Sequence, residues 1–347
     1  MNLFSPINLG AIALVNRIVA APMMRNGGGI DGVPTAADAD YYAERASAGL
    51  IVTAAAQVSP DGHAYPGVSG IYNAAQTAGW QQVADRVHRH RGRIFLQLGH
   101  GGRVSHPLLQ PDGCSLPVAP SAVAARGDAI TPLGPRPFVI PRPLETWEIA
   151  HLVERFRDAA IHALEAGFDG VEIYAANGYL LDQFLRDGAN RRTDRYGGEV
   201  PNRIRFLLEV IEAVTAVCGS ERVGVRLSPN GSFNDMWDSD PVALFSHLAL
   251  SLKGFGLAYL HIVEPLPQDR VSLDGLRLAR HLKPLFRGPV IANGGYDRQR
   301  AIDAVARSDS DLVSFGVMFR DNPDLASRLQ RQIVVKGPAF NARYLYG

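Results

Sequence analysis

The sequence has few cysteines, no excess of charge of one sign and no long apolar run. Cys114 and Cys218 are the two cysteines among 347 residues. Two cysteines cannot form a disulfide framework, and their spacing matches no metal-ligand motif. We therefore predict two ordinary thiols, no metal site and a reducing compartment, with the cytoplasm as the expected location.

Charge is balanced, with 35 basic and 34 acidic residues and a formal net charge of +1. No overall field would therefore attract nucleic acid or an anionic membrane. No run of about 18 apolar residues is present, and the first ten residues lack the pattern of a signal peptide. These absences favour a neutral organic substrate, with no nucleic-acid or membrane partner, and leave a homo-oligomer open.

What is present is a regular alternation of short apolar runs with segments of helical spacing. Continuous apolar runs are typical of parallel strands buried on both faces. The predicted strands are Arg17–Ala21, Gly49–Ala54, Arg93–Leu98, Gly170–Tyr174, Arg222–Leu227, Ala258–Val263, Pro289–Asn293 and Asp311–Phe315. The predicted helices are Ala36–Ala48, Ala78–His90, Glu148–Glu165, Asn202–Val217, Pro241–Lys253, Leu276–Leu285, Arg298–Ala306 and Pro323–Gln330.

This order predicts an α/β fold, a (β/α)8 TIM barrel, with an open doubly wound sheet as the alternative. A segment rich in Pro, Gly, Ala and Ser, residues 101–143, interrupts the spacing after the third strand. We predict that it is a loop insertion at the barrel mouth. No composition shift marks a linker, so residues 1–347 are predicted to form a single domain.

Polar residues where barrel strands end are the first functional candidates, because these positions line the active face. They are Gln97, Tyr174, Asn177, Arg226, His261, Glu264, Asn293, Gly294 and Gly295. An Arg in a buried strand needs a partner, so Arg226 is expected to meet an anion or an electron-rich ligand atom, with a structural ion pair as the alternative.

Glycines after the seventh and eighth strands stand where barrels commonly bind phosphate. Gly294, Gly295 and Gly316 would expose backbone amides there, although a plain tight turn is equally consistent with a Gly pair. After the fourth strand, Asn177 and Tyr179 suit a carbonyl compound, as hydrogen-bond donor and proton donor. The alternative is that Tyr179 packs and Asn177 caps a turn.

Several ordered stretches resemble signatures of the Old Yellow Enzyme family of FMN-dependent ene-reductases. They are LFSPINLG, AAPMMR, QVSPDG, FLQLGHGGRVSHP, VEIYAANGYLLDQFL, NRRTDRYGG, VGVRLSP, HIVEP, NGGYD and FRDNPDL, from about Leu3 to Leu329. The resemblance implies a barrel with FMN at its mouth, which NAD(P)H reduces and an activated alkene reoxidises.

Carried over by position, the resemblance places Pro22, Met23 and Met24 beside the flavin. Gln97 and Arg226 would bond the polar edge of its ring, and Gly294, Gly295 and Gly316 would face its phosphate. Asn177, with Tyr174, would hold the substrate carbonyl. Tyr179 would protonate Cα after hydride reaches Cβ from the flavin.

The sequence departs from the family pattern at five positions around the expected cofactor. Met24 replaces Thr or Cys, Ala54 a Glu, Gly99 a frequent Trp, Tyr174 a His, and Val317 an Arg expected at the phosphate. Loss of the bonds at Met24 and Val317 would weaken FMN binding by about 2 to 4.5 kcal/mol. Arg320 could partly replace the missing charge.

Three functions are consistent with these residues. The first is NAD(P)H-dependent reduction of the C=C bond of an α,β-unsaturated carbonyl compound. The second is redox-neutral proton transfer, such as isomerisation, dehydration or cyclisation, with Tyr174 and Tyr179 as acid and base and with weak or no FMN binding. The third is a non-catalytic binding protein, which retention of Gln97, Asn177, Tyr179 and Arg226 disfavours.

Overall fold

Eight parallel strands close into a barrel. The computed structural model describes residues 1–25, 27, 31–264 and 278–336. Barrel strands 1 to 8 are Ile18–Ala20, Leu50–Val52, Ile94–Gly99, Gly170–Ala175, Val223–Leu227, Tyr259–Val263, Val290–Asn293 and Leu312–Phe315. Each pairs in parallel with the next, and strand 8 pairs with strand 1. The predicted (β/α)8 barrel is confirmed, and the open sheet is excluded.

Helices follow the strands in the predicted order. They are Ala36–Ala43, Ala74–Arg89, Thr146–Glu165, Leu180–Leu185, Val200–Arg203, Arg205–Cys218, Pro241–Leu252, Leu278–Phe286, Arg298–Ala306, Val317–Asp321 and Leu325–Arg331. The predicted helix Ala36–Ala48 is too long, because the helix ends at Ala43 and the chain then turns. The prediction over 202–217 is wrong at its start, where two helices meet at Ile204. Residues 276 and 277 of the predicted helix Leu276–Leu285 lie outside the described residues.

An antiparallel hairpin closes the amino-terminal end of the barrel. Its strands are Ile7–Leu9 and Ile12–Leu14. Leu9, Ile12 and Leu14 are buried in one apolar cluster with Phe95 and Tyr259 from barrel strands 3 and 6. This cluster is separate from the larger one between the strands and the helices. The hairpin therefore completes the core at the end opposite the mouth.

The segment 101–143 lies between barrel strand 3 and the helix Thr146–Glu165. It contains a second hairpin, Asp128–Thr131 with Gly134–Pro137, and the short strands Val118–Ala119 and Arg142–Pro143, which pair with each other. Val104 and Phe138 pack against two buried tyrosines of the mouth. The single-domain assignment stays a prediction. Among the described residues, no helix has the length and apolar character needed to cross a membrane.

The N-terminal hairpin provides a test of this core. Leu14 is 2% exposed and the next residue, Val15, is 67% exposed. Leu14→Ala should lower the free energy of unfolding by about 2 to 5 kcal/mol, because it leaves a cavity in the barrel core. Val15→Ala, the matched control, should change it by less than about 0.5 kcal/mol. Urea unfolding measures both, and equal effects would contradict the core assigned to the hairpin.

Candidate active site

A cleft lies at the carboxyl ends of the barrel strands and encloses about 480 Å³ of space that is open to solvent. Its lining residues come from loops and strand ends that are distant in sequence. They are Pro22, Met24, Arg25, Ala54, Ala55, Gln57, Ala64, Tyr65, Val68, Gln97, Gly99, His100, Tyr174 and Tyr179. Five of the predicted site residues, Pro22, Met24, Gln97, Tyr174 and Tyr179, are therefore brought to one cleft.

A layer of buried polar side chains lies on the barrel strands. Gln97 Nε2 donates to Glu172 Oε1 at 2.7 Å, and Glu172 Oε2 lies 2.8 Å from His261 Nδ1. Arg226 Nη1 lies 2.7 Å from His261 Nε2, and Arg226 Nη2 donates to Asn293 Oδ1 at 3.0 Å. Strand register brings these residues together, since Gln97 is opposite Glu172 and Arg226 is opposite His261.

The electrostatics of this layer give one anion, one cation and one neutral ring. Burial, reinforced by the Arg226 cation, lowers the pKa of His261 to about 4, so the imidazole is neutral near pH 7. Burial opposes ionisation of Glu172, but its contacts with His261, Arg226 and Gln97 outweigh burial and lower the pKa of this carboxyl. Glu172 is therefore ionised, and it balances the charge of Arg226.

The loop after barrel strand 4 holds Asn177 in an unusual backbone conformation. Asn177 has φ +57° and Gly178 has φ +78°, both left-handed. A Cβ at Gly178 would lie 2.7 Å from the Cβ of Asn234, so only glycine fits there. The Asn177 N–H donates to Ser228 Oγ at 2.7 Å, and the Gly178 N–H donates to Asp182 Oδ2 at 2.8 Å. These bonds stabilise a strained residue at the mouth.

This loop places an amide beside a group of tyrosines. Asn177 Nδ2 donates to Tyr174 Oη at 2.9 Å, and the rings of Tyr174 and Tyr179 are 4.9 Å apart. Tyr179 Oη donates to Tyr65 Oη at 3.2 Å. Asn177 Oδ1 is buried and, within the described part of the chain, has no hydrogen-bond partner. Asn177 thus presents an unused polar atom next to two phenols.

Burial keeps these phenols protonated. It raises the pKa of Tyr174 above the usual value, and the contacts with Arg226 and Asn177 offset only part of the shift. Burial, together with the neighbouring Tyr65 and Tyr174, raises the pKa of Tyr179 well above 10. Both residues can donate hydrogen bonds at neutral pH, whereas their ionisation is costly.

Small residues form the wall beside Tyr174. Ala54 and Ala55 follow barrel strand 2, and Gly99 ends barrel strand 3. A Cβ at Gly99 would lie 3.2 Å from the Cβ of Ala55 and 3.5 Å from Tyr174 Cδ1. Position 99 therefore lies within van der Waals distance of the Tyr174 ring. The two changes from the family pattern at 99 and 174 are neighbours in the cleft wall.

The loop after barrel strand 1 carries Pro22, Met23 and Met24. Pro22 is buried, Met23 is half-buried and Met24 is exposed. A Cβ at Gly316 would lie 2.5 Å from Met23 Sδ, so the loops after strands 1 and 8 pack closely at this glycine. Met24 lines the cleft with an apolar side chain, where Thr or Cys would offer a polar one.

The loops after barrel strands 7 and 8 contain Gly294, Gly295 and Val317, where the family resemblance predicts the phosphate of FMN. Gly294 and Gly295 have φ +110° and +64°, which are positive values that residues with a Cβ rarely adopt. Val317 begins the helix Val317–Asp321 and supplies no cation. Arg320 forms a two-point ion pair with Asp321, at 2.8 and 3.1 Å. This pairing opposes the suggestion that Arg320 replaces the missing arginine.

One site candidate from the sequence needs revision, and two residues of the site were not predicted. Glu264 caps a helix, because its carboxylate accepts the N–H groups of Leu278 and Ala279 at 2.9 and 3.0 Å. Tyr65 was missed, since its loop carries no motif that indicates contact with Tyr179. Glu172 was also missed, although a charged residue within the buried run GVEIYA was a usable signal.

The residues present fit the ring system of FMN. Gln97, Arg226 and Asn293 provide amide and guanidinium groups at the ends of strands 3, 5 and 7, which suits a ring edge with carbonyl oxygens and an N–H group. A Cβ at Gly294 would lie 2.8 Å from the carbonyl oxygen of Glu264, so a side chain does not fit at this position of the turn. The arginine expected for the phosphate is the missing element.

Comparison with known proteins agrees with this geometry. Residues 2–335 match the model of the NADH:flavin oxidoreductase / NADH oxidase family. 12-Oxophytodienoate reductase 7 of Oryza sativa subsp. japonica is 43% identical, and the match covers 94% of this chain and 87% of that protein.

Solved structures are similar over nearly the whole chain. Morphinone reductase in complex with tetrahydroNAD is 43% identical with a TM-score of 0.92, and the match covers 100% of this chain and 94% of that one. The old yellow enzyme homologue from Zymomonas mobilis is 40% identical with a TM-score of 0.94, and the match covers 99% and 96%. The chain thus belongs to the NADH:flavin oxidoreductase / NADH oxidase family of FMN oxidoreductases, the Old Yellow Enzyme family.

Proposed function

We propose that this protein uses NAD(P)H to reduce the activated C=C bond of an α,β-unsaturated carbonyl compound. The observation that carries the proposal is that Tyr174, Tyr179 and Gln97 line one cleft, while Asn177 donates a hydrogen bond to Tyr174 Oη from behind it. Relatives named for reduction of 12-oxophytodienoate and morphinone support it, as does a morphinone reductase structure that contains tetrahydroNAD.

FMN, when bound and reduced, supplies the hydride in this chemistry. The residues that would hold it are Pro22, Met23, Met24, Gln97, Arg226, Gly294, Gly295 and Gly316. Gln97 and Arg226 would contact its ring through side chains, and the three glycines would offer backbone amides to its phosphate. Pro22 and Met24 would shield the ring from water with apolar surface.

Tyr174 and Asn177 would bind the substrate carbonyl together. Because Tyr174 Oη accepts a hydrogen bond from Asn177, its own O–H is available to donate to a carbonyl oxygen. Accepting one hydrogen bond strengthens a hydroxyl as a donor of another. These donors would stabilise the negative charge that develops on the oxygen as hydride arrives at Cβ. The anchor differs chemically from the family's usual His-Asn or His-His pair.

Tyr179 would donate a proton to Cα. Its hydroxyl is fixed near the anchor by the bond to Tyr65 and by the ring of Tyr174. The raised pKa values of Tyr174 and Tyr179 favour the reductive function over redox-neutral chemistry. Isomerisation or cyclisation would need one phenol to become a base, whereas protonation of a carbanion-like carbon needs only a phenol that has kept its proton.

Removing the Tyr179 hydroxyl tests the proposal directly. Tyr179→Phe should lower the rate of enone reduction by about 10²- to 10⁴-fold, the usual contribution of a general acid. Reduction of bound FMN by NADH should change little, because that step needs no proton from Tyr179. Stopped-flow absorbance separates the two steps, with 2-cyclohexenone as the oxidant.

The matched control is Tyr65→Phe, which removes a hydroxyl from the same cleft and keeps that of Tyr179. Its effect should stay below about tenfold, the loss expected for one neutral hydrogen bond. Equal losses in both variants would count against Tyr179 as the proton donor. Full activity in Tyr179→Phe would refute it.

The Tyr174 anchor should shape the substrate range. Tyr174→His replaces a phenol by a smaller donor, which would also remove the hydrogen bond that Asn177 donates to Tyr174 Oη. The ratio of kcat/KM for a cyclic enone to that for a linear enal should change by about 2- to 13-fold, the contribution of one neutral hydrogen bond. Unchanged rates on every enone and enal tested would contradict a role for Tyr174 in binding.

Position 317 should control how strongly the phosphate of FMN is recognised. Val317→Arg restores a guanidinium after Gly316, and should tighten FMN binding by about 10- to 150-fold, as a charge-assisted bond contributes. Riboflavin has no phosphate, so its affinity should not change. Fluorescence titration of the apoprotein with both flavins measures this, and equal tightening of both would contradict phosphate recognition at this position.

A further inference from the structure

The buried polar layer contains two residues to which the proposed function gives no role, Glu172 and His261. Both side chains are fully buried on adjacent parts of the barrel interior. Gln97 and Arg226, the two side chains proposed to contact the flavin ring, are their immediate neighbours. The buried carboxylate of Glu172 is therefore linked by hydrogen bonds to the side chains proposed to contact the flavin.

Glu172 contacts each neighbour through a separate oxygen. Its Oε1 accepts from Gln97 Nε2 at 2.7 Å, and its Oε2 lies 2.8 Å from His261 Nδ1. His261 Nε2 in turn lies 2.7 Å from Ser314 Oγ, and Arg226 Nη1 lies against the imidazole, 2.7 Å from Nε2 and 3.0 Å from Nδ1. One carboxylate thus fixes the amide of Gln97 directly and the guanidinium of Arg226 through the imidazole.

Charge balance gives the same residue a second role. A neutral His261 cannot compensate Arg226, and Glu172 is, among the described residues, a carboxylate that acts electrostatically on this guanidinium. Asn293 Oδ1 supplies Arg226 with a hydrogen bond but no charge. A buried cation favours any nearby group that becomes more negative, and a buried anion reduces that effect.

We propose that Glu172 is a positioning residue that orients Gln97 directly and Arg226 through His261, and that it sets the reduction potential of FMN at this site. The inference rests on the proposed function in that FMN must bind at the mouth. Reduction adds negative charge to the cofactor, so a carboxylate below Arg226 lowers the potential. Removing that negative charge should raise it.

Glu172→Gln tests the proposal, because it keeps the size of the side chain and removes its charge. The FMN-loaded variant is titrated by reduction in equilibrium with reference dyes. We expect at least a tenfold shift of the equilibrium towards reduced FMN, which is about 30 mV for a two-electron couple. Glu172→Asp retains the carboxylate and should return the potential most of the way to that of the unmodified protein.

A matched control is Asp238→Asn, which removes a buried carboxylate paired with Arg203, outside both the polar layer and the loop of Asn177. It should leave the potential within a twofold shift of the equilibrium. A folded, FMN-loaded Glu172→Gln variant with a shift below twofold would overturn the proposal. So would a Glu172→Asp variant whose potential matches that of Glu172→Gln.

A measurement without FMN keeps the proposal testable if Glu172→Gln fails to fold or to retain the cofactor. In ¹⁵N NMR of the unmodified apoprotein, His261 should be neutral from pH 5.5 upwards, with its proton on Nδ1, which faces Glu172 Oε2. Titration near pH 6.5, or a proton on Nε2, would overturn the relay to Arg226. Neither readout uses an enone, so failure of the proposed enone reduction would leave both results interpretable.

Discussion

Pairing of barrel strand 3 with barrel strand 4 is the constraint on which the site depends. It closes the barrel, and its register places Gln97 opposite Glu172. Two residues further along strand 4, Tyr174 emerges at the cleft opposite Arg226 of strand 5. A slip of one residue in this register would send each of these side chains to the other face of the sheet. The positions of the site side chains therefore depend on the register in which strands 3 and 4 pair.

The structure divides the barrel interior by chemistry. At the amino-terminal end, the hairpin around Leu14 completes an apolar core with Phe95 and Tyr259. Towards the mouth, charge is balanced between Glu172 and Arg226 across a neutral His261. Above that layer, the tyrosines meet open space. Arg226 can stay charged inside the barrel because Glu172, a few ångströms away, compensates its charge.

Barrel strands and most helices could be predicted from the sequence because buried parallel strands are continuous apolar runs. The ends of strands 3, 4 and 5 indicated Gln97, Tyr174 and Arg226 as site residues. The structure places Gln97 and Tyr174 in the cleft and Arg226 opposite Tyr174 in the strand register, while their roles stay predictions. The helix Leu180–Leu185 could not be found in this way, because six residues give too little periodicity. Contacts such as Tyr179 with Tyr65, 114 residues apart, depend on loop conformation.

Departures from the family pattern concentrate at the mouth, and the structure relates two of them. Gly99 and Tyr174 are neighbours, because a Cβ at position 99 would be in van der Waals contact with the Tyr174 ring. Val317 stands apart, since the nearby Arg320 is paired with Asp321. These positions affect the anchor and the phosphate, whereas Gln97 and Arg226 keep the ring site. Ring recognition is thus expected to dominate cofactor binding.

The most direct test of the central claim is an anaerobic absorbance measurement on the purified protein after equilibration with FMN and removal of free flavin. NADH or NADPH should bleach the retained flavin absorbance, and an enone should restore it with formation of the saturated carbonyl product. Retained flavin that no nicotinamide bleaches, or bleached flavin that no enone reoxidises, would contradict the account. Absence of retained flavin at micromolar concentrations would contradict the cofactor assignment itself.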